Sequence, residues 1–155
     1  MSDMILRNPG EGPQYSVAGD LYRFLADGDQ TGGRFSIWHA TIPPGGGPPP
    51  HIHHRENEAF YVLKGELTFY ALDVQQVLKV GAGGFVHLPP DRPHRFANES
   101  GQEVEALIVA IPAGIEKMFM QVGTPSDKPL PMGPEEIEKL LQAAPDYGLE
   151  ILPPG

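Results

Sequence analysis

Short apolar segments alternate with turns rich in glycine and proline through the first 111 residues of the chain. The segments that we predict to be strands cover residues 21–25, 35–42, 60–63, 66–72, 74–80, 85–88, 94–97 and 104–111. Many short strands separated by turn signals are typical of a β-sandwich or barrel of the jelly-roll type. The pattern therefore predicts an all-β fold over this region.

The pattern changes after Pro112, where apolar residues recur at helical spacing. Positions 115, 118, 119 and 122 would form one apolar face of a helix. A second helix is predicted to begin at Gly133 and Pro134, because proline suits the first helical position and acidic residues follow in the first turn. Pro145 would end it. We expect both helices to pack on the outside of the barrel or across a dimer contact.

These patterns indicate one domain spanning residues 1–155, a length that suits a single hydrophobic core. We expect residues 1–19 to form an extended N-terminal arm, residues from about 20 to 111 to form the barrel, and residues 112–155 to form a helical extension. The 19 glycines and 18 prolines lie between the apolar segments rather than in a repeat, so we interpret them as turn residues.

Composition argues against several classes of function. The formal charge of −9 disfavours nucleic acid or an anionic membrane surface as a partner, because both attract basic patches. The absence of cysteine excludes disulfides, zinc ribbons and cysteine nucleophiles. The N-terminus has no basic segment followed by a long apolar run, and no apolar stretch approaches the ~20 residues of a membrane-spanning helix. We therefore expect a cytoplasmic protein that acts on a small molecule.

The candidate chemistry lies after a proline-rich loop, where two histidines stand two residues apart. Successive side chains of a strand point to opposite faces, so His51 and His53 can aim both imidazoles at one point. Glu58 follows five residues after His53 and can be brought alongside by the next strand segment. Imidazole and carboxylate ligands together suit divalent first-row metals.

A fourth ligand should come from another part of the chain. His94 is the preferred candidate, because it begins a strand after a proline-rich turn that fixes the direction of entry. His54 should face away from the side shared by His51 and His53, and the face of His87 is left open. His39 either lines the barrel or lies outside it, and we interpret it as structural.

The residues resemble the two sequence motifs of the cupin family. The first motif is matched at every spacing, by Gly45, His51, His53, Glu58 and Gly65. The second motif is matched by Gly83, Pro89, His94 and Asn98. One position departs from it, because Asp91 stands where the family usually has glycine. Aspartate tolerates a left-handed turn conformation, so we expect the turn to survive.

The resemblance implies a double-stranded β-helix with a metal held by His51, His53, Glu58 and His94. The cofactor would be one divalent transition metal (Fe, Mn, Ni, Co, Cu or Zn), because such ligands accept all of these. Four protein ligands leave one or two positions open, which is the pattern of a catalytic site. Family resemblance and the exposed strand edges of such barrels also suggest a homodimer.

Three neutral imidazoles and one carboxylate around a divalent cation leave a net charge of about +1. Such a site favours a bound anion such as an enolate, a phenolate or a carboxylate. Glu58 is the candidate catalytic residue, because it could accept a proton from a hydroxylated substrate.

The walls of the site are predicted from strand alternation. If Glu58 faces inward, then Phe60 and Val62 should as well, and Phe96 should follow His94 on its strand. Trp38 could add a further aromatic wall. An apolar site with one charged centre suits a planar aromatic or otherwise apolar substrate. The alternative is that these residues simply fill the barrel.

The proline-rich approach to His51 and the segment from Glu58 to Leu63 look like small single-domain cupins related to quercetin dioxygenase. This resemblance implies a metal-dependent dioxygenase, an oxidoreductase, that acts on a flavonol-like phenolic or enolisable substrate. A metal-dependent isomerase or lyase that stabilises an enediolate without oxygen is the first alternative. A non-catalytic small-ligand binder is the second, although no helix-turn-helix segment supports a transcription regulator.

Overall fold

The computed structural model describes residues 3–153, and its strands match the predicted pattern closely. The strands are β1 (Gln14–Val17), β2 (Asp20–Ala26), β3 (Ser36–Ile42), β4 (His51–His53), β5 (Asn57–Lys64), β6 (Glu66–Ala71), β7 (Gln76–Gly81), β8 (Phe85–Leu88), β9 (His94–Ala97), β10 (Val104–Ile111), β11 (Thr124–Pro125) and β12 (Leu149–Ile151). The helices are α1 (Gly28–Thr31), α2 (Ile115–Val122) and α3 (Pro134–Ala143), followed by a 3-10 turn at Ala144–Tyr147. Every predicted strand is present, and so are both predicted helices.

The strands form two sheets with entirely antiparallel pairing between neighbours. The larger sheet has the order β11-β1-β2-β3-β10-β5-β8, and the smaller has the order β12-β4-β9-β6-β7. Strands that are distant in sequence therefore become neighbours, as in a jelly roll. This architecture confirms the all-β prediction.

Alternating burial along the central strands explains why the sheets enclose a core. In β3, the side chains of Trp38, Ala40 and Ile42 are buried, whereas the residues between them are partly exposed. In β10, the side chains from Val104 to Ala110 follow the same alternation. Each strand thus contributes every second residue to the interior, and the other residues face outward.

Some elements were not predicted as strands or helices. Residues 14–17, which we expected in an extended arm, form β1 and pair with β2. The hairpin turns at Ala18 and Gly19, both of which have positive φ angles, of 52° and 87°. Two positive φ angles in succession match the tight turn that the strand twist favours. Helix α1 follows Ala26 directly and is capped by Asp27.

The two longer helices pack at one end of the barrel. The predicted apolar face of α2 is confirmed, because Ile115, Met118 and Val122 are buried. Helix α3 contacts α2 and buries Leu140 and Ala143. Among residues 3–153, no helix is both long enough and apolar enough to cross a membrane.

The loop that leads into β4 is fastened to the end of β9. The Gly45 N–H donates to the Asn98 carbonyl at 2.9 Å, and the Asn98 N–H donates to the Gly46 carbonyl at 2.9 Å. Gly47 has a φ of 134°, and a Cβ atom there would lie 2.2 Å from the carbonyl oxygen of Phe96. Only glycine allows this close approach of two backbones, which fixes the point where β4 begins.

We expect Gly47→Ala to lower the free energy of unfolding by about 3 kcal/mol, because it adds a backbone clash to a left-handed conformation. Gly101→Ala is the matched control. Gly101 also has a positive φ, of 80°, but nothing lies within 4 Å of a Cβ atom there. Gly101→Ala should therefore lower the free energy of unfolding by only about 1–2 kcal/mol. Urea unfolding measures both variants, and equal losses would show that the contact with Phe96 is unimportant.

Candidate metal centre

Three histidine side chains converge inside the barrel. His51 and His53 lie on β4 with Ile52 turned away between them, and His94 begins β9 directly opposite His51. All three are buried. One ring nitrogen from each lies within 4.8 Å of the others, a spacing that could hold a metal ion. The structure therefore brings together the three histidines predicted from the sequence.

The orientation of two rings is fixed by backbone acceptors. Nδ1 of His51 lies 2.8 Å from the carbonyl oxygen of Pro49, and Nδ1 of His94 lies 3.1 Å from the carbonyl oxygen of Arg92. A carbonyl oxygen can only accept, so each Nδ1 carries the proton and donates it. Each Nε2 then keeps its lone pair free for another partner.

Glu58, on β5, lies against the histidines. Its Oε2 is 3.5 Å from Nε2 of His53, and its Oε1 is 3.7 Å from Nε2 of His94. The carboxylate is buried. The fourth candidate ligand thus faces Nε2 of His94, which the backbone leaves free, and also Nε2 of His53.

The buried groups shift one another's pKa values. Burial raises the pKa of Glu58, but the charges of His53 and His94 outweigh it and hold that pKa at about 2. Burial is the main reason that the pKa of His51 falls to about 3, and the neighbouring His53 and His94 add to the effect. Burial also lowers the pKa of His53, but the carboxylates of Glu58 and Glu56 reverse this and raise it.

The donor set fits a divalent metal. Nε2 of His94 is buried and has no hydrogen-bond partner among residues 3–153. A buried polar atom without a partner costs free energy, and a metal ion would supply the missing partner. Three imidazoles and a carboxylate are ligands that first-row divalent metals accept.

The centre lies beside an apolar cavity of about 50 Å³. Its wall is formed largely by apolar and aromatic side chains: Val17, Tyr22, Trp38, Phe60, Phe96, Ile108, Met118, Phe119, Val122, Leu140, Leu149 and Ile151. Polar groups are contributed by His51, His53, Glu58 and Glu136. The cavity therefore joins the candidate metal centre to the end of the barrel that α2 and α3 cover.

Three of the four residues predicted to form the substrate site line this cavity, namely Trp38, Phe60 and Phe96. Val62 does not, although it faces inward and is fully buried. It lies four residues beyond Glu58 on the same strand, which is about 13 Å along the barrel. Val62 therefore belongs to the core beyond the cavity.

Sequence reasoning missed several residues of the site. Tyr22 lies on the buried face of β2, and its ring centroid is 5.2 Å from that of Phe119 on α2. Glu136 reaches the cavity from α3. Strand alternation could have indicated Tyr22. Phe119 and Glu136 carried no such signal, because the pattern of a helix does not reveal which part of the molecule the helix covers.

The remaining histidines lie outside the centre. His54 is exposed, and its ring contacts Asp91 at 2.6 Å and Glu150 at 3.0 Å. Asp91 has a φ of 70°, which confirms the expected left-handed turn. The His87 ring nitrogen Nε2 lies 2.9 Å from Asn57 Oδ1, at the surface. His39 pairs with Glu105 at 3.0 Å.

The part of the chain that forms the barrel matches a known family model. Residues 38–110 match the family model described as a cupin domain. The match and the relatives below support a cupin protein that resembles quercetinase-like members of that superfamily.

Two curated relatives are quercetin 2,3-dioxygenases. The enzyme of Bacillus subtilis is 26% identical over 148 residues, which cover 94% of this chain and 43% of the relative. The enzyme of Aspergillus japonicus is 28% identical over 125 residues, which cover 77% of this chain and 35% of the relative. The chain thus spans less than half the length of these relatives.

A solved structure extends the similarity of fold beyond the barrel. The polyketide cyclase RemF from Streptomyces resistomycificus is 22% identical, with a TM-score of 0.62. The match covers 93% of this chain and 96% of that one. The fold is therefore shared over nearly the whole chain.

The contribution of His51 to the free energy of unfolding of the metal-free protein should fall as the pH drops from about 6.5 towards 3, whereas buried Asp20, whose pKa is raised, opposes this slope above its ordinary value of 3.8. The folded pKa of His51 is about 3, whereas its ordinary value is 6.5. The unfolded chain therefore binds a proton in this window that the folded chain does not, and acid favours unfolding. The raised pKa of His53 acts in the opposite direction, but only above pH 6.5.

Urea unfolding of metal-free protein measures this dependence. His51→Gln should reduce the slope of the free energy of unfolding against pH between pH 4.5 and 6.5. These limits are the ordinary pKa values of Glu58 and of His51. His87→Gln changes an exposed histidine outside the centre and should leave the slope as it is. A His51→Gln curve as steep as that of the wild type would contradict the account of the buried charges.

Proposed function

We propose that this protein is a metal-dependent cupin dioxygenase that acts on a flavonol-like phenolic or enolisable substrate. The observation that carries the proposal is the contact of the Glu58 carboxylate with the free nitrogen atoms of His53 and His94 beside an apolar cavity. The similarity to two quercetin 2,3-dioxygenases supports the same reaction class.

In this proposal, His51, His53, Glu58 and His94 hold one divalent transition metal, and these ligands accept Fe, Mn, Ni, Co, Cu and Zn alike. The bound metal would supply a positive charge that acidifies a substrate hydroxyl, and any of these metals except Zn would also supply a redox-active centre for dioxygen. The protein's own part is to fix the ligand geometry and to keep water out of the apolar cavity.

Glu58 is proposed to accept the proton of the substrate hydroxyl. Its pKa of about 2 keeps the carboxylate ionised at neutral pH, so it is available as an acceptor. The same low pKa makes it a weak base. Transfer therefore needs a hydroxyl that the bound metal has acidified, and this is easier for phenols and enols than for simple alcohols.

The cavity sets a condition on substrate entry. Its volume of about 50 Å³ suffices for a few water molecules, whereas pockets for aromatic ligands usually measure 300–1,000 Å³. Phe119 and Leu140 close the cavity from α2 and α3. We propose that these two side chains move aside when an aromatic substrate binds.

A metal-dependent isomerase or lyase is the second candidate. The same pairing of a buried carboxylate with a cation would stabilise an enediolate without dioxygen. A neighbour with the same fold over 93% of this chain is named as a polyketide cyclase, so the scaffold is not limited to dioxygenases. A non-catalytic binder of small ligands is the third candidate.

The assembly we propose is a homodimer that binds no nucleic acid and no membrane. Strands β7 and β8 lie at the edges of their sheets. Exposed apolar side chains occur on both, including Val77 and Phe85. Such edges favour pairing with a second copy.

Oxygen uptake with a flavonol and with a β-diketone tests the reaction. We expect turnover that stops without dioxygen and that falls by about 100-fold or more in Glu58→Gln, measured at equal metal occupancy. Glu105→Gln is the matched control, because Glu105 also contacts a histidine but lies outside the centre.

The alternatives give different results in the same assay. Turnover that continues under nitrogen would replace the dioxygenase by an isomerase or lyase. A metal-loaded protein with no turnover and no exchangeable water on its metal would favour the non-catalytic binder.

A further inference from the structure

A second carboxyl group lies buried behind one of the histidines. Glu56 stands in the turn between β4 and β5 and is only 3% exposed. Its Oε2 lies 3.7 Å from Nδ1 of His53, on the far side of the ring from Glu58. Neither of these two atoms has a hydrogen-bond partner among residues 3–153. Each of the two atoms could supply the partner that the other lacks.

The environment of His53 therefore differs from that of the other two rings. Nδ1 of His51 and Nδ1 of His94 each donate to a neutral backbone carbonyl. Nδ1 of His53 faces a carboxylate instead. All three rings nevertheless follow one rule, which is that Nδ1 faces an acceptor and Nε2 faces the centre.

We propose that Glu56 is a positioning residue that accepts the Nδ1–H of His53 and directs its Nε2 at the metal. The present separation of 3.7 Å exceeds a hydrogen bond by about 0.5–1 Å, which a small rotation of either side chain would close. A cation at Nε2 polarises the ring and strengthens Nδ1–H as a donor, so metal binding favours this closure. A carboxylate behind a metal-bound histidine fixes the tautomer and raises the ligand's basicity.

The proposal rests on the proposed metal centre, but not on dioxygenase chemistry. It makes His53 the ligand with the strongest electron donation of the three. A role of Glu56 in folding alone predicts instead that its replacement changes stability and leaves the properties of the bound metal as they were.

Titration of metal-free protein with Co²⁺ tests the proposal. Glu56→Ala should weaken Co²⁺ binding by about 10- to 100-fold and change the visible absorption spectrum of the bound ion. Glu56→Gln keeps an oxygen that can accept Nδ1–H but loses the charge, so its affinity should lie between those of Glu56→Ala and the wild type. Glu105→Gln, which alters the partner of His39 outside the centre, should match the wild type.

NMR of the imidazole protons in the Zn²⁺-loaded protein provides a second readout. It can be measured on Glu56→Gln alone if Glu56→Ala does not fold. The Nδ1–H resonance of His53 should shift in this variant, while those of His51 and His94 stay in place. Variants that bind Co²⁺ within about threefold of the wild type, with an unchanged spectrum and unshifted resonances, would overturn the inference alone. A wild-type protein that binds no Co²⁺ would overturn the proposed metal centre as well.

Discussion

Strand β4 is held against strand β9 by hydrogen bonds at both ends of a short contact, and the candidate metal centre depends on this pairing. At one end, Gly45 and Gly46 exchange backbone hydrogen bonds with Asn98. At the other end, the Asp91 N–H donates to the His53 carbonyl at 2.9 Å. Between these points, His51 lies opposite His94. The histidines thus converge because the loops on either side of the strands leave the backbones only one register.

Charge and burial act together at this centre. The rings and the Glu58 carboxylate are withdrawn from water, which would be unfavourable for each group alone. They are tolerated because they face one another and because the backbone fixes the direction of two of the rings. The apolar wall lowers the local dielectric constant and so strengthens these interactions. The residues that keep water out are therefore as important to the proposed chemistry as the candidate ligands.

The sequence predicted the strands and the convergence of the histidines, because both follow from local periodicity and spacing. It placed Val62 at the cavity because alternation reveals the face of a strand but not the depth along the barrel. It missed Tyr22 although the strand over residues 21–25 was predicted, because nothing local shows that this strand borders the cavity. It missed Glu56 because the turn after β4 has no periodicity from which a facing can be inferred. The position of Phe119 in the cavity wall depends on a contact between distant segments, which no local pattern contains.

The most direct test is the metal content of the purified protein, measured by mass spectrometry for the wild type, His53→Ala and His94→Ala after loading with one divalent metal and removal of the excess. If the four candidate ligands form one centre, the wild type retains about one ion per chain, and both folded variants lose it. A wild type that retains no metal, or variants that retain as much as the wild type, would contradict the account.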